Sequence, residues 1–167
     1  MRRLSFLAIP LFLTACTTVN CPLENKVLAV YKFYASARTS DGVFVPGQAV
    51  EIADTLNITV LPTDTVIVNK LVNKGEAKLP VSLYGDVDTL QFTYTDTLGA
   101  IAYDTLHVSK INHHHVDDPS CPINMFHTIT GITHTRHVID TVIINHADIN
   151  YNGLENFQIY FRTATDE

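Results

Sequence analysis

Thr55-Leu56-Asn57-Ile58-Thr59-Val60-Leu61 alternates polar and apolar side chains almost to its end. Successive residues of a strand point to opposite faces, so this period of two puts Leu56, Ile58 and Val60 on one side of a half-buried sheet. The same alternation recurs in Leu79, Val81 and Leu83, in Leu90, Phe92 and Tyr94, and in Phe157, Ile159 and Phe161, whereas helical spacing of apolar residues is almost absent. Strands are expected near Val27 to Ala35, Thr55 to Leu61, Thr65 to Asn69, Lys78 to Tyr84, Thr89 to Thr95, Ile101 to Lys110, Met125 to Ile132, Val138 to Asn145 and Asn156 to Arg162. Turns fall at Ser40 to Gly42, Pro46 and Gly47, Asn73 to Gly75 and Asn150 to Gly153, where Gly supplies positive φ and Asn or Asp bonds its own backbone. The fold class that follows is all-β, an immunoglobulin-like antiparallel β-sandwich of about 7 to 9 strands. A closed β-barrel with a ligand cavity is the alternative.

Asp, Thr and then Leu or Val recur six times, beginning at Asp54, Asp64, Asp88, Asp96, Asp104 and Asp140. The triplet suits a turn that ends on a locally bonded Asp and passes into a strand through β-branched Thr. Its steps are irregular, so it defines no solenoid or propeller repeat. Calcium would need several of these oxygens at one place, and they are spread over most of the chain.

The N-terminus reads differently. Arg2 and Arg3 precede an apolar run from Leu4 to Leu13, too short to span a bilayer but suited to a secretory leader. The run ends in Leu13, Thr14, Ala15 and Cys16, which resembles the lipobox of bacterial lipoproteins, whose cysteine is lipidated and becomes the first mature residue. The expected organisation is a lipoprotein signal peptide over 1–15, a lipidated N-terminus and short tether over 16–24, and a single β-sandwich domain over 25–165. Lipidation at Cys16 makes the membrane a partner through the N-terminal anchor. Thr17, Thr18, Val19 and Asn20 lack the acidic run that resembles a surface-export signal. The periplasmic face of the bacterial outer membrane is therefore favoured over the cell surface.

With Cys16 assigned to the lipid, Cys21 and Cys121 remain in a chain sent to an oxidising compartment, and a single disulfide between them is expected. It would close a loop of about 100 residues, worth at most ~4.7 kcal/mol by chain entropy. Losing the two leader arginines takes the formal charge from −6 to −8, and the remaining basic residues stand singly. Nucleic acid is thus not an expected partner.

Histidines are the candidates for chemistry. Seven of the eight lie between His113 and His146, and imidazoles with carboxylates such as Asp117 and Asp118 are zinc ligands. In a strand, neighbours of the His113-His114-His115 triplet diverge and only His113 and His115 share a face. His134 and His137 converge only if the turn between Gly131 and Val138 folds them together. These four are weak metal candidates, and none is assigned as a ligand; an ordinary exposed loop and hairpin explains the cluster more simply. Clustered imidazoles could also titrate below about pH 6.5. There is no Gly-x-Ser-x-Gly elbow, His-Glu-x-x-His, phosphate loop or dinucleotide fingerprint. No catalytic residue and no cofactor is assigned, and the chain is read as not an enzyme.

The lipobox, Cys21 and Pro22, the strand with Val27, Tyr31 and Phe33, the stretch Lys78 to Val81, Asp117 to Cys121, and the ending Asn156 to Phe161 together resemble a family of small Gram-negative envelope lipoproteins catalogued as a domain of unknown function. The resemblance implies a location and a β fold, and carries no site residues. The expected function is a membrane-anchored, noncatalytic interaction or structural module whose partner is another envelope protein. The alternative is a small-ligand or zinc-binding lipoprotein using the C-terminal histidine cluster.

Overall fold

A computed structural model of the chain describes Cys21 and residues 26–162. The expected leader, Cys16 and the rest of the expected tether lie outside the described residues. Eleven strands form: β1 (Leu28–Arg38), β2 (Phe44–Ala49), β3 (Thr55–Leu61), β4 (Thr65–Leu71), β5 (Glu76–Pro80), β6 (Val87–Thr95), β7 (Ile101–His115), β8 (Asn124–His134), β9 (Ile139–Ile144), β10 (Asp148–Ile149) and β11 (Glu155–Phe161). They make two sheets packed as a sandwich, one of them curved into a half-barrel. One sheet runs β2-β1-β11-β9, with β5 on the first half of the β1 edge that β2 follows; the other runs β10-β8-β7-β6-β3-β4.

Alternation locates the core. Leu56 and Ile58 of β3, Leu90 and Phe92 of β6, and Leu106 and Val108 of β7 face Phe33 of β1 and Phe157 and Ile159 of β11, all buried. Tyr31 stacks on Phe157 at 4.5 Å and meets Phe92 of the facing sheet at 6.3 Å. Pairing is antiparallel except between β1 and β11, which align in parallel with Tyr31 opposite Phe157 and Phe33 opposite Ile159. Parallel neighbours need a long crossover, and here everything between the first and last strands serves as one.

Three strand expectations need correction. Lys78 to Tyr84 is cut at Pro80, so Val81 and Leu83 leave the sheet and Leu83 is exposed. Pro46 and Gly47, read as a turn, sit inside β2. A Cβ on Gly47 would collide with the Ala35 carbonyl oxygen, and the register of β1 and β2 shifts beside it. The histidine triplet, expected beyond the strand, completes β7, because β8 pairs with it to the end and sets His115 opposite Asn124. The two-residue β10 was not expected.

The strands run between two poles. One holds the turns at 62–64, 81–86, 116–123 and 145–154, together with the start of β1. Cys21 is bonded there to Cys121, with Cα atoms 5.5 Å apart. The far pole holds the turns at 39–43 and 96–100, the crossing at 50–54 and the segment 135–138.

Candidate functional site

The histidines divide between the poles. At the disulfide pole, His115 stacks on Phe126 at 4.0 Å, and Tyr151 packs edge-on against both rings. Asp117 ties the trio together, lying 3.1 Å from His115 Nε2 and accepting from the Tyr151 hydroxyl at 2.8 Å and from Asn124 Nδ2 at 3.3 Å. The Tyr151 bond, followed by those from His115 and Asn124, holds its carboxyl below the usual carboxylate range against partial desolvation. His113 Nε2 is 3.2 Å from Thr128 Oγ1, whose hydroxyl donates to Asp148 at 3.0 Å. His134 and His137 lie at the far pole, out of reach of His113 and His115. His134 ends β8 with Nε2 buried and unbonded, while the mostly exposed His137 has Nδ1 3.4 Å from Asp104. Among the described residues no three His, Cys, Asp or Glu side chains stand where they could hold a metal ion. The four candidates are thus not gathered into a zinc site.

His127, opposite Asn112, is buried against a polar network. Asn112 Nδ2 donates to the Gly85 carbonyl at 3.0 Å, which turns its Oδ1 toward His127 Nδ1 at 2.7 Å and Lys110 Nζ at 3.2 Å. Since a carbonyl oxygen only accepts, Nδ1 carries the proton and Nε2 the lone pair. Burial, then the charges of Lys110 and His113, push the imidazole down to about 4, so it is neutral at physiological pH. Lys110, fully buried, also donates to the Gly85 carbonyl at 2.9 Å and lies 3.5 Å from Asp88. A buried ammonium is tolerated only when paired and bonded in this way. The network therefore pins the 81–86 turn to β7.

At the far pole, Asp104 does comparable work alone. Fully buried, it accepts from the Thr135 hydroxyl and from the backbone N–H groups of His137, Val138 and Ile139, each at 2.8 Å. Those amides would otherwise be orphaned donors in the bend before β9. Asp96 caps the neighbouring turn through the N–H groups of Leu98 and Ala100 at 2.8 Å, and Arg38 pairs with buried Asp140.

Over these braced loops lies a furrow of three adjoining cavities. The first, about 170 Å³, lies among Val50, Ile52, Phe161 and Arg162. It shares Asp54, Tyr94 and Val138 with a second of about 210 Å³. That one shares Ile101 and Ala102 with a third of about 290 Å³ beside Tyr103 and His137. Among the described residues the buried Tyr94 hydroxyl has no hydrogen-bond partner. Burial foremost, and the nearby Asp104 charge, hold it well above the usual phenol range, so it is protonated.

The residues that organise both poles were hidden in the alternation. Asp104, Leu106, Val108 and Lys110 share the inward parity of β7, so two charged side chains occupy apolar-face positions. A charge on the buried parity of an otherwise regular strand was the available signal. Of the six Asp-Thr triplets, Asp96 caps a local turn as expected. Asp104 and Asp140 instead reach partners 31 to 35 and 102 residues away.

A family model described as a family of unknown function (DUF6452) matches residues 55–161, from the start of β3 to the end of β11. No curated protein and no solved structure matches the chain.

Proposed function

Since the chain belongs to the DUF6452 family of unknown function, we propose that it is an envelope lipoprotein anchored through Cys16 at the periplasmic face of the outer membrane, whose domain is a noncatalytic interaction module. The furrow at the far pole carries this reading. Each of its cavities is smaller than the ~300 Å³ at which small-molecule pockets begin, yet large enough for one side chain. A row of three along preorganised loops suits an extended segment of a partner protein. Ile101 and Tyr103 stand half-exposed along the furrow, where a bound segment would cover them, and Tyr is among the side chains that carry most binding energy once desolvated.

Strand addition at a sheet edge is the less favoured route, because the edges carry guards. β2 contains Pro46, β10 has two residues, and β4 has an irregular register and places Lys70 at φ 56°. On β9, Arg136 Nε donates to the Asp140 carbonyl at 2.9 Å. Site-specific photocrosslinkers at Ile101 and Tyr103 in intact cells should yield a discrete protein adduct that is absent for a crosslinker at Lys78, exposed on β5 of the other sheet. Adducts of equal yield at all three positions, or none at the furrow, would overturn the assignment.

A further inference from the structure

Apolar side chains are exposed on three separate loops of the disulfide pole. The 81–86 turn presents Leu83 and Tyr84, the latter 85% exposed; the β7–β8 turn presents Val116 and Ile123, the latter 64% exposed; and the 150–154 turn presents Leu154. None is covered by the described residues, although the loops beneath them are firmly held. Lys110 and Asn112 grip Gly85, Tyr151 bonds Asp117, and Cys121 is bonded to Cys21. A rigid end with apolar tips is the form of a surface that meets another apolar phase.

Chain length says which phase. Cys21 is the fifth residue beyond Cys16, so even fully extended the chain between them reaches at most ~18 Å. A lipid on Cys16 would therefore hold Cys21 within that distance of the bilayer, and with it the Cys121 turn, whose Cα lies 5.5 Å from that of Cys21, while the far pole lies at the other end of the strands. We infer that the disulfide pole is a membrane-docking surface, with Val116, Ile123 and Leu154 dipping into the interface of a zwitterionic phospholipid leaflet. Tyr84 suits the headgroup level, where amphipathic rings collect. Asp117 and Asp118 remain anionic beside the tip, which disfavours an anionic leaflet. The inference rests on the lipid-anchor reading and adds an orientation to it: the membrane below, the furrow facing the compartment.

The chain contains no Trp, so a single introduced indole is a clean reporter. Ile123→Trp, Tyr84→Trp and, at the far pole, Leu98→Trp would be made in the full chain and purified from membranes. Mass spectrometry would check the acyl chain on Cys16, and the proteins would be placed in phosphatidylcholine vesicles with brominated acyl chains. Blue-shifted, quenched emission from Ile123→Trp and Tyr84→Trp, with Leu98→Trp unquenched, is the expected result. Acylated, vesicle-bound protein in which all three indoles behave alike would overturn the docking surface and leave the anchor standing. A Cys16 without an acyl chain would overturn both. Should the substitutions disturb folding, hydrogen exchange on the unmodified protein separates the same outcomes: vesicles should protect residues 116–123 and not 96–100, and equal protection of the two segments would overturn the docking surface.

Discussion

The two poles of this sandwich are braced by different means. The disulfide pole is held by a covalent bond, an aromatic trio and a buried network in which Lys110, Asn112 and His127 bond one another and the Gly85 carbonyl. At the far pole the bend at 135–139 depends mainly on one carboxylate, Asp104, which bonds three backbone amides, and among the described residues the Tyr94 hydroxyl beside it has no hydrogen-bond partner. Redundant side-chain contacts tolerate the loss of one member, whereas a single acceptor serving three amides does not. The pole proposed to meet a partner is thus the one whose loops are set by fewer groups, and the pole proposed to rest on the membrane is the one that need not adapt.

The sharpest way to break this contrast is Asp104→Ala. It orphans three N–H groups, one buried and two part-buried, leaves the Thr135 hydroxyl without its acceptor, and should cost about 3–5 kcal/mol, measured by urea unfolding, with fast hydrogen exchange confined to residues 135–139. A loss below ~1 kcal/mol would mean that other contacts hold the far pole. Replacing both Cys21 and Cys121 by Ser should cost about 2–4 kcal/mol, because it acts through the unfolded chain. If this exceeded the Asp104→Ala loss, the ranking of the poles would reverse.

Acid offers a third test. His127 binds a proton in the unfolded chain near pH 6.5 but in the fold only at about 4. Its contribution is intact above pH 6.5 and drains away as the pH falls toward 4, with a slope of up to ~1.4 kcal/mol per pH unit. His127→Gln should flatten urea midpoints across that window, and an unchanged profile would refute the assignment. The smallest effect is expected of Tyr151→Phe, which removes one exposed bond and should cost under ~1 kcal/mol. In an NMR titration the Asp117 carboxyl should rise toward its ordinary range, and a fixed value would show that His115 and Asn124 suffice.

Much of this architecture was legible residue by residue. β3 runs over Thr55–Leu61 as its alternation required, and β6 and β11 lie close to their expected bounds. The disulfide was legible because only two thiols remained once Cys16 was set aside. Lys78 to Tyr84 misled because an extended loop alternates as well as a strand does, and only the pairing of β5 with β1 ends at Pro80. β2 was missed because Pro46 and Gly47 carry turn chemistry wherever they occur; an edge position beside β1 is what admits them to a sheet.

The candidate sites were less legible than the fold. His113, His115, His134 and His137 are close in sequence, yet β7 and β8 carry them to opposite poles. Asp104, Lys110 and Tyr94 belong to ordinary alternating strands, and their importance depends on partners supplied by other loops. The all-β class, the inward parity of most strands and the pairing of Cys21 with Cys121 could be read from the residues alone, because they follow from a local period of two and from elimination among three thiols. Which carboxylate organises a loop, which histidine is buried neutral and which loops share a pole were settled only once the chain had folded. Those properties depend on contacts between segments tens of residues apart, and a local pattern carries no record of them.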